Sequence, residues 1–449
     1  MFFCGNTLVV RYVLILTALV VPVPLFAAEI TTLKDSVAYA LEHNRMLAIS
    51  SNRVDSAEAQ VDMVTGRMLP RVDVSTGFVR TNSPLGSFGA KLQQQSITNF
   101  SPAAINQPGY VNNYQSRLGL TMPIFSGGAN WASRANARNQ ADASSLEFKF
   151  QQQQVIYQTI AAYAHARETL AEVNVLSNAV KAAKKRWQDV EAMKKRGMAI
   201  KSDAMDAHVH VLRSQVALSE AESRYEESIE SLRLILGMED NSRLNVVSEP
   251  SLLFSMEPTD QMLEKYDDRR ADLLALENRL NAAENRRNQH MAAYLPRVDF
   301  VAAQEWNNGT FGLRNRNTTV GVNVKMNIFS GGEDLAKVRA ATSEKVSIEY
   351  QLADKRQQAA NEIRQAVRVL RMTKQRFESE TVALEQTTES LRIKSLRHAQ
   401  GLEKTSDLLN AQVNADASEM AHIRAKYDLT IAKAALLLAA GTLDEEVVR

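Results

Sequence analysis

The sequence predicts a mainly α-helical protein with a smaller β part, arranged as two tandem structural repeats that each contribute one β-hairpin. The prediction rests on a duplicated motif, two uninterrupted helical stretches, and four short stretches in which apolar and polar residues alternate. The motif reads MPIFSGG at 122–128 and MNIFSGG at 326–332, so the copies lie 204 residues apart. Upstream of it, LPRVD occurs at 69–73 and again at 295–299, with an offset of 226. A duplication this long indicates one object made of two like halves.

The composition and the N-terminal segment exclude several functional classes. A formal net charge of +2 over 449 residues gives no reason to expect a nucleic-acid partner. Residues 1–28 are expected to be a signal peptide, because the apolar run at 12–21 is too short for a membrane helix; an anchor helix that stays in place is the alternative. The only cysteine, Cys4, precedes that run, so the mature chain is expected to contain neither a disulfide nor a thiolate metal site.

The first repeat is expected to span 29–237 and to begin with a helix. Thr31 or Thr32 can cap this helix, which should run to about Met68 because a proline follows. A β-hairpin is predicted over 71–126, with a polar loop of about 30 residues between its strands. Loops of that length are uncommon in compact domains and are usually functional.

A long helix follows the first hairpin. Residues 129–196 contain neither proline nor glycine, so a helix of about 100 Å is expected at ~1.5 Å per residue. Gly197 should break it, and a return helix should run from about Ser202 to Leu236 with Gly237 as its C-cap.

The second repeat, expected over 261–441 after a connector at 238–260, has the same order of elements. These are a helix over about 261–293, a β-hairpin over 297–330, a long helix over 333–400 that Gly401 ends, a return helix to Ala440, and a tail over 442–449.

The predicted strands have the alternation of transmembrane strands. In the clearest one, Val320, Val322 and Val324 face one way, while Asn323 and Lys325 face the other. Four strands cannot close a barrel, and an open sheet in lipid would leave edge N–H and C=O groups unpaired at a cost of several kcal/mol each. The sequence therefore predicts a β-barrel completed by oligomerisation, with four strands per chain. Two soluble hairpins resting on long helices remain the alternative.

The order and constant spacing of these elements resemble the TolC-like family of outer-membrane efflux and secretion channels, also called outer membrane factors. The resemblance covers the helix, LPR, the hairpin, IFSGG, the unbroken helix, the glycine break and the return helix, all duplicated. It implies a homotrimer with a twelve-stranded β-barrel surrounded by outer-membrane lipid and a long α-helical barrel in the periplasm. It further implies no cofactor and no enzymatic activity.

The function that this resemblance implies is the exit duct of a tripartite efflux or type I secretion system. Such a duct is a passive conduit that is gated at its periplasmic tip. Its implied partners are a periplasmic adaptor (membrane fusion) protein and an inner-membrane pump or ABC exporter. The alternative from another class is a periplasmic coiled-coil adaptor or scaffold without a pore.

Both glycine breaks are expected at the end of the helices furthest from the hairpins, where the family meets its adaptor. The candidates for adaptor contact are Gly197, Met198, Ala199, Gly401 and Leu402. The alternative is that the two glycines only turn the chain.

Acidic residues that follow the breaks are candidates for a gate: Asp203, Asp206, Glu403 and Asp407. In the family, carboxylates after the second break ring the narrowest point of the tunnel, and Asp407 matches such a position. The family's second acidic position is Asn410 here, and Glu403 stands where some relatives carry a basic residue. Converging carboxylates would attract cations. The alternative for each aspartate is a favourable charge in the first turn of a helix.

No catalytic or metal site is predicted. His208 and His210 are two residues apart on a helix, so they point to different faces and make a poor metal pair. The glycine pairs at 127–128 and 331–332 precede helices, but no Gly-Lys-Ser/Thr sequence follows either pair.

Overall fold

The structure is a computed structural model that describes residues 32–98, 100–238, 244–254 and 259–448. The expected signal peptide lies outside the described residues. In chain order, the helices are α1 (Leu33–His43), α2 (Arg45–Gly66), α3 (Pro84–Gln93), α4 (Pro102–Asn106), α5 (Ala129–Lys195), α6 (Lys201–Leu236), α7 (Thr259–Arg269), α8 (Ala271–Met291), α9 (Glu333–Ala399) and α10 (Thr405–Ala439). The strands are β1 (Arg71–Thr81), β2 (Val111–Ser126), β3 (Arg297–Asn308) and β4 (Arg316–Lys325).

Two helices of 67 residues each, α5 and α9, run the length of the helical part and confirm the two predicted long helices. Shorter helices flank them in series, since a polar helix of this length needs partners to bury its apolar positions. Near the hairpins the layer runs α2, α5, α8, α9, and near the glycine breaks it runs α6, α5, α10, α9. The two repeats therefore form one continuous layer.

Each predicted first helix of a repeat is in fact two helices, which corrects the sequence prediction. Thr32 caps α1 as expected, but Asn44 ends it and starts α2, because its side-chain Oδ1 accepts hydrogen bonds from the amides of Met46 and Leu47. In the second repeat, Arg270 separates α7 from α8 at the equivalent position, but its side chain does not cap α8. Asn44 and Arg270 are 226 residues apart, so the break is itself duplicated.

A buried cluster surrounds the first break and forms the principal core. It joins α1, α5, α6 and the C-terminal tail through Leu33, Val37, Ile160, Tyr163, Leu232, Leu236 and Leu443. The described part of the connector packs here too, because the amide of Leu253 donates to the carbonyl of Val447 over 2.7 Å. The described part of the connector is thus hydrogen-bonded to the C-terminal tail.

The four strands form one antiparallel sheet in the order β1-β2-β3-β4. One face is apolar, as in the row Val72, Leu120, Ala302 and Val320, in which each side chain lies beside the next. The opposite face is polar, as in the row Ser75, Arg117, Glu305 and Asn317. The LPRVD motif contributes to the polar face, since Arg71 pairs with Asp73 at 2.9 Å and Arg297 pairs with Asp299 at 2.8 Å.

The loop of the first hairpin also differs from the prediction of a long loop without secondary structure. It contains α3 and α4, and each begins with a proline after a serine, at Ser83-Pro84 and Ser101-Pro102. Proline suits the first helical position because its missing N–H would be unbonded there anyway. In the second hairpin the loop is short, since β3 continues to Asn308 and β4 starts at Arg316.

Candidate functional site

The two glycine breaks form matching turns at the end of the helical part. Gly197 and Gly401 have φ values of 76° and 75°, and the next amide in each turn donates to the carbonyl five residues back. The distances are 2.9 Å both from Met198 to Met193 and from Leu402 to Arg397. This left-handed closing turn satisfies the last carbonyls of α5 and α9.

Apolar side chains project from these turns. Met198 is 70% exposed and Leu402 is 65% exposed, so both adaptor-contact candidates are free for a partner in the single chain. Ala199 behaves differently, because it packs against a small cluster of Val190, Ala204 and Ala207 that closes the first tip. Each tip therefore presents an exposed apolar side chain.

One cleft of about 740 Å³ lies between the two tips and brings most of the gate candidates together. Its acidic lining residues are Asp203, Asp206 and Glu403, contributed by both repeats. Asp407 does not line this cleft. Asp203 and Asp407 occupy equivalent positions, in the first turns of α6 and α10. A carboxylate there stabilises the helix, because the helix dipole is positive at its N-terminus.

Basic groups balance the acidic lining of the cleft. Glu403 is held by Arg397 of the same tip at 2.9 Å, and the cleft also contains Arg213, Lys404 and His210. Burial lowers the pKa of His210, and the guanidinium groups of Arg186 and Arg213 lower it further. A single chain therefore presents a mixed-charge cleft, and a ring of acidic groups would require several subunits.

A bond between the repeats near the tips was not predicted from the sequence. The guanidinium of Arg186 on α5 donates to the side-chain carbonyl of Gln412 on α10, and Gln412 donates in turn to Asp416 over 2.6 Å. Burial raises the pKa of Asp416. Arg186 lies in a lysine- and arginine-rich run that is typical of a solvated helix face, so its sequence gives no sign of this role.

Both histidines discussed above point away from each other, as the helical spacing predicts. His208 packs against Trp187 with 4.6 Å between ring centroids and an interplanar angle of 31°, whereas His210 faces the cleft. Over the described residues, no group of three metal-ligating side chains occurs. Across the same residues, the helices are all too short or too polar to cross a membrane.

A comparison with protein families decides the broad identity of the chain. The family model described as "outer membrane efflux protein" matches residues 37–238 and 262–442, which is most of the chain and both repeats. The chain belongs to this family. The predicted fold class and the outer-membrane localisation are thereby confirmed, and the protein is a transport channel rather than an enzyme.

Individual relatives agree with the family. The chain is 24% identical over 351 residues to the alkaline protease secretion protein AprF of Pseudomonas aeruginosa, covering 74% of this chain and 71% of AprF. A membrane protein crystal structure from Pseudomonas aeruginosa superposes with a TM-score of 0.79 at 20% identity, covering 91% of this chain and 93% of the other. The CmeC outer membrane channel of Campylobacter jejuni gives 0.78 at 18% identity, covering 92% and 86%.

Proposed function

We propose that three copies of this chain form the exit duct of a tripartite efflux or type I secretion system. The observation that carries the proposal is that the β-sheet and the helical layer of one chain each have two exposed edges, and that the elements at the two edges differ. On one border lie β1, α2 and α6, and on the other lie β4 and α9. Head-to-tail contact between unlike borders builds a ring when the rotation closes, so border strand and border helices would be covered together.

Exposed apolar side chains on the border helices support this closure. On α9, Tyr350 is 71% exposed and Met372 is 60% exposed, although both lie on a long helix in an aqueous compartment. On α6, Met205 and Val216 are each 59% exposed. Apolar side chains in such positions are typical of a subunit interface. Twelve strands from three chains would then enclose the polar face of the sheet and turn the apolar face to lipid.

The proposed partners are a periplasmic adaptor at the tips and an inner-membrane pump or ABC exporter beyond it. The resemblance to AprF favours a secreted protein as the cargo. Deleting the gene tests this directly: loss of a protein from the culture medium supports secretion, whereas drug sensitivity with an unchanged medium supports efflux.

We place the gate at the tips, where the cleft between the repeats lies. In a closed ring, the first turns of the return helices would approach the axis and bring three copies of Asp407 towards one another. Like charges at short range repel and attract cations, so such a ring would favour cation passage.

The membrane part of the proposal is tested with a pair of variants on β4. Val322→Arg puts a charge on the apolar face, and we expect it to cost about 2–4 kcal/mol per subunit near the bilayer midplane and to abolish the heat-modifiable trimer in the outer-membrane fraction. Asn323→Arg, on the polar face, is the matched control and should assemble normally. Wild-type trimers should conduct ions in planar bilayers.

A periplasmic scaffold without a pore predicts the opposite results. The mature protein would appear in the soluble fraction after osmotic shock, both arginine variants would behave alike, and no conductance would be measured. That set of results would refute the duct.

A further inference from the structure

The first hairpin carries 22 residues more than the second, and this insert folds back onto the sheet. The helix α3 is tied to three strands at the end of the sheet remote from the long helices. At its start, the hydroxyl of Ser87 donates to the carbonyl of Thr81 on β1 over 3.1 Å. At its end, Gln94 donates to the carbonyl of Asn112 on β2 over 2.7 Å, and Asn317 on β4 donates to the carbonyl of Gln93 over 3.2 Å.

A row of buried amides fixes the end of α3. Gln94 is 7% exposed, Asn113 is 9% exposed and Asn307 is fully buried. The amide nitrogen of Gln94 donates to Asn113 over 2.9 Å, and the amide nitrogen of Asn113 donates to Asn307 over 2.9 Å. Buried polar groups are costly when unpaired, so separating α3 from the sheet would expose or orphan the whole row.

The parity of the strands shows which face α3 covers. Asn113 is four residues before Arg117 on β2, and Asn307 is two residues after Glu305 on β3, so all four lie on the polar face. Arg117 and Glu305 form an ion pair there at 3.5 Å. The insert therefore lies on the side of the sheet that faces away from lipid in the proposed duct.

We propose that the first-repeat insert is a fixed constriction at the outer mouth of the duct and sets the largest cargo that can leave. The inference rests on the proposed function, because the polar face lines a lumen only in a closed ring. A helix with its side chains is about 10 Å across, so three copies would narrow the mouth substantially. The second hairpin contributes only the short turn at 309–315, so every subunit presents one obstructing and one open hairpin.

A loop exchange within the chain tests the proposal. Residues 84–106, which contain α3 and α4, are replaced by a copy of 309–315 from the second hairpin, and single-channel conductance is measured in planar bilayers with neutral polyethylene glycols of graded size. We expect conductance to rise about twofold and larger polymers to enter, because a wider mouth is less restrictive. Unchanged conductance and an unchanged polymer cut-off in the exchanged protein would overturn the constriction while leaving the duct intact.

Two neighbouring glutamines provide a finer test with a matched control. Gln94→Leu removes both bonds of the buried amide and leaves Asn113 without its donor, whereas Gln93→Leu changes an exposed side chain and keeps the carbonyl that Asn317 uses. Gln94→Leu should shift the polymer cut-off upwards and add current fluctuations between levels, and Gln93→Leu should match wild type.

Trimer heat-modifiability is measured for every variant to confirm assembly. Assembled Gln94→Leu channels with the wild-type cut-off and steady current would contradict the role of the amides. If the assembled wild-type protein conducts nothing, the proposed function fails first and this inference fails with it.

Discussion

In each repeat, the break between the two short helices packs against the glycine that ends the return helix. These contacts, Asn44 with Gly237 and Arg270 with Gly441, are called the first and second joint, and different side chains hold them together. Asn44 donates to the carbonyl of Ile235 over 2.7 Å, and Arg270 donates to the carbonyl of Ala439 over 3.3 Å. The two acceptors are 204 residues apart, so the contact itself is duplicated.

The second joint carries an ion cluster around Arg270, whereas among the described residues Asn44 holds the first joint through neutral hydrogen bonds. Arg270 is 3% exposed and pairs with Asp272 at 2.8 Å and with Glu362 at 2.6 Å. Lys355 also reaches Asp272 at 3.3 Å. The comparison teaches that duplication preserved the position of a donor to one carbonyl, while the side chain that supplies it changed from a neutral cap to a charged centre.

Replacing the glycines at the joints with alanine should cause the largest loss of stability. A Cβ at Gly237 would lie 2.5 Å from the carbonyl oxygen of His43, and one at Gly441 would lie 2.9 Å from that of Arg269. Since both contacts are to backbone, Gly237→Ala and Gly441→Ala should each destabilise the protein by about 2–4 kcal/mol, measured by thermal unfolding in detergent.

The tip glycine supplies the control for these variants. At Gly197 an added Cβ meets nothing within 4 Å, so Gly197→Ala should cost only about 1 kcal/mol for its left-handed φ. Equal losses for Gly197→Ala and Gly237→Ala would show that the close approach at the joint is unimportant.

The next largest effect is expected when the polar side chain of each joint is removed, and the loss of unfolding free energy should differ between the two joints. Arg270→Met leaves a buried carboxylate at Asp272 and should cost about 3 kcal/mol of unfolding free energy. Asn44→Ala removes a helix cap and one further hydrogen bond and should cost about 1–2 kcal/mol. The double variant Arg270→Met/Asp272→Asn should recover part of the loss. No recovery would mean that Arg270 acts through its contact with Ala439 rather than through the ion pair.

Acid should weaken only the second joint. Burial acts to raise the pKa of Asp272, but the hydrogen bonds and charges of Arg270 and Lys355 outweigh it and lower that pKa. The pair therefore stabilises the fold above the unfolded-state pKa of about 3.9, and this contribution is lost as the pH falls through the folded-state value. The difference in melting temperature between wild type and Asp272→Asn should be constant from about pH 7 to 5 and shrink below about 4. A difference that does not change with pH would contradict the assignment.

The smallest effect is expected at the tips, where equivalent aspartates of the two repeats are replaced and ion selectivity is measured. Asp407→Ala should reduce cation selectivity in bilayers, because it removes one negative charge per subunit from the proposed gate. Asp203→Ala, the equivalent first-turn change in the first repeat, should alter selectivity less. Unchanged selectivity in Asp407→Ala would remove this residue from the gate.

Sequence patterns predicted the repeats, the long helices and the strands because each depends on periodicity over many residues. The breaks at Asn44 and Arg270 were missed because one non-helical residue barely disturbs a 3.6-residue pattern. Asn44 carries a recognisable capping signal, but Arg270 carries none apart from its 226-residue offset from Asn44. Pro84 and Pro102 could have revealed the helices of the insert, and the nearby glycines obscured them.

At the candidate site, the sequence located the turns but not the contacts across them. Gly197 and Gly401 were identifiable because no other glycine or proline interrupts the long helices. The bond from Arg186 to Gln412 joins residues 226 positions apart, and nothing local marks either partner. That Asp407 lies outside the cleft that contains Asp203 depends on packing between repeats, which spacing along the chain does not encode.

The unlike borders of the subunit also bear on how the cell must handle it before assembly. β1 and β4 are the two edge strands of the sheet within one chain, and before the proposed ring closes each of them displays N–H and C=O groups that can template growth of another strand. If the chain is synthesised faster than it associates, its edge strands would therefore favour fibrous or amorphous aggregates. Chaperones that shield these strands should raise the yield of assembled protein more than a lower unfolding rate would.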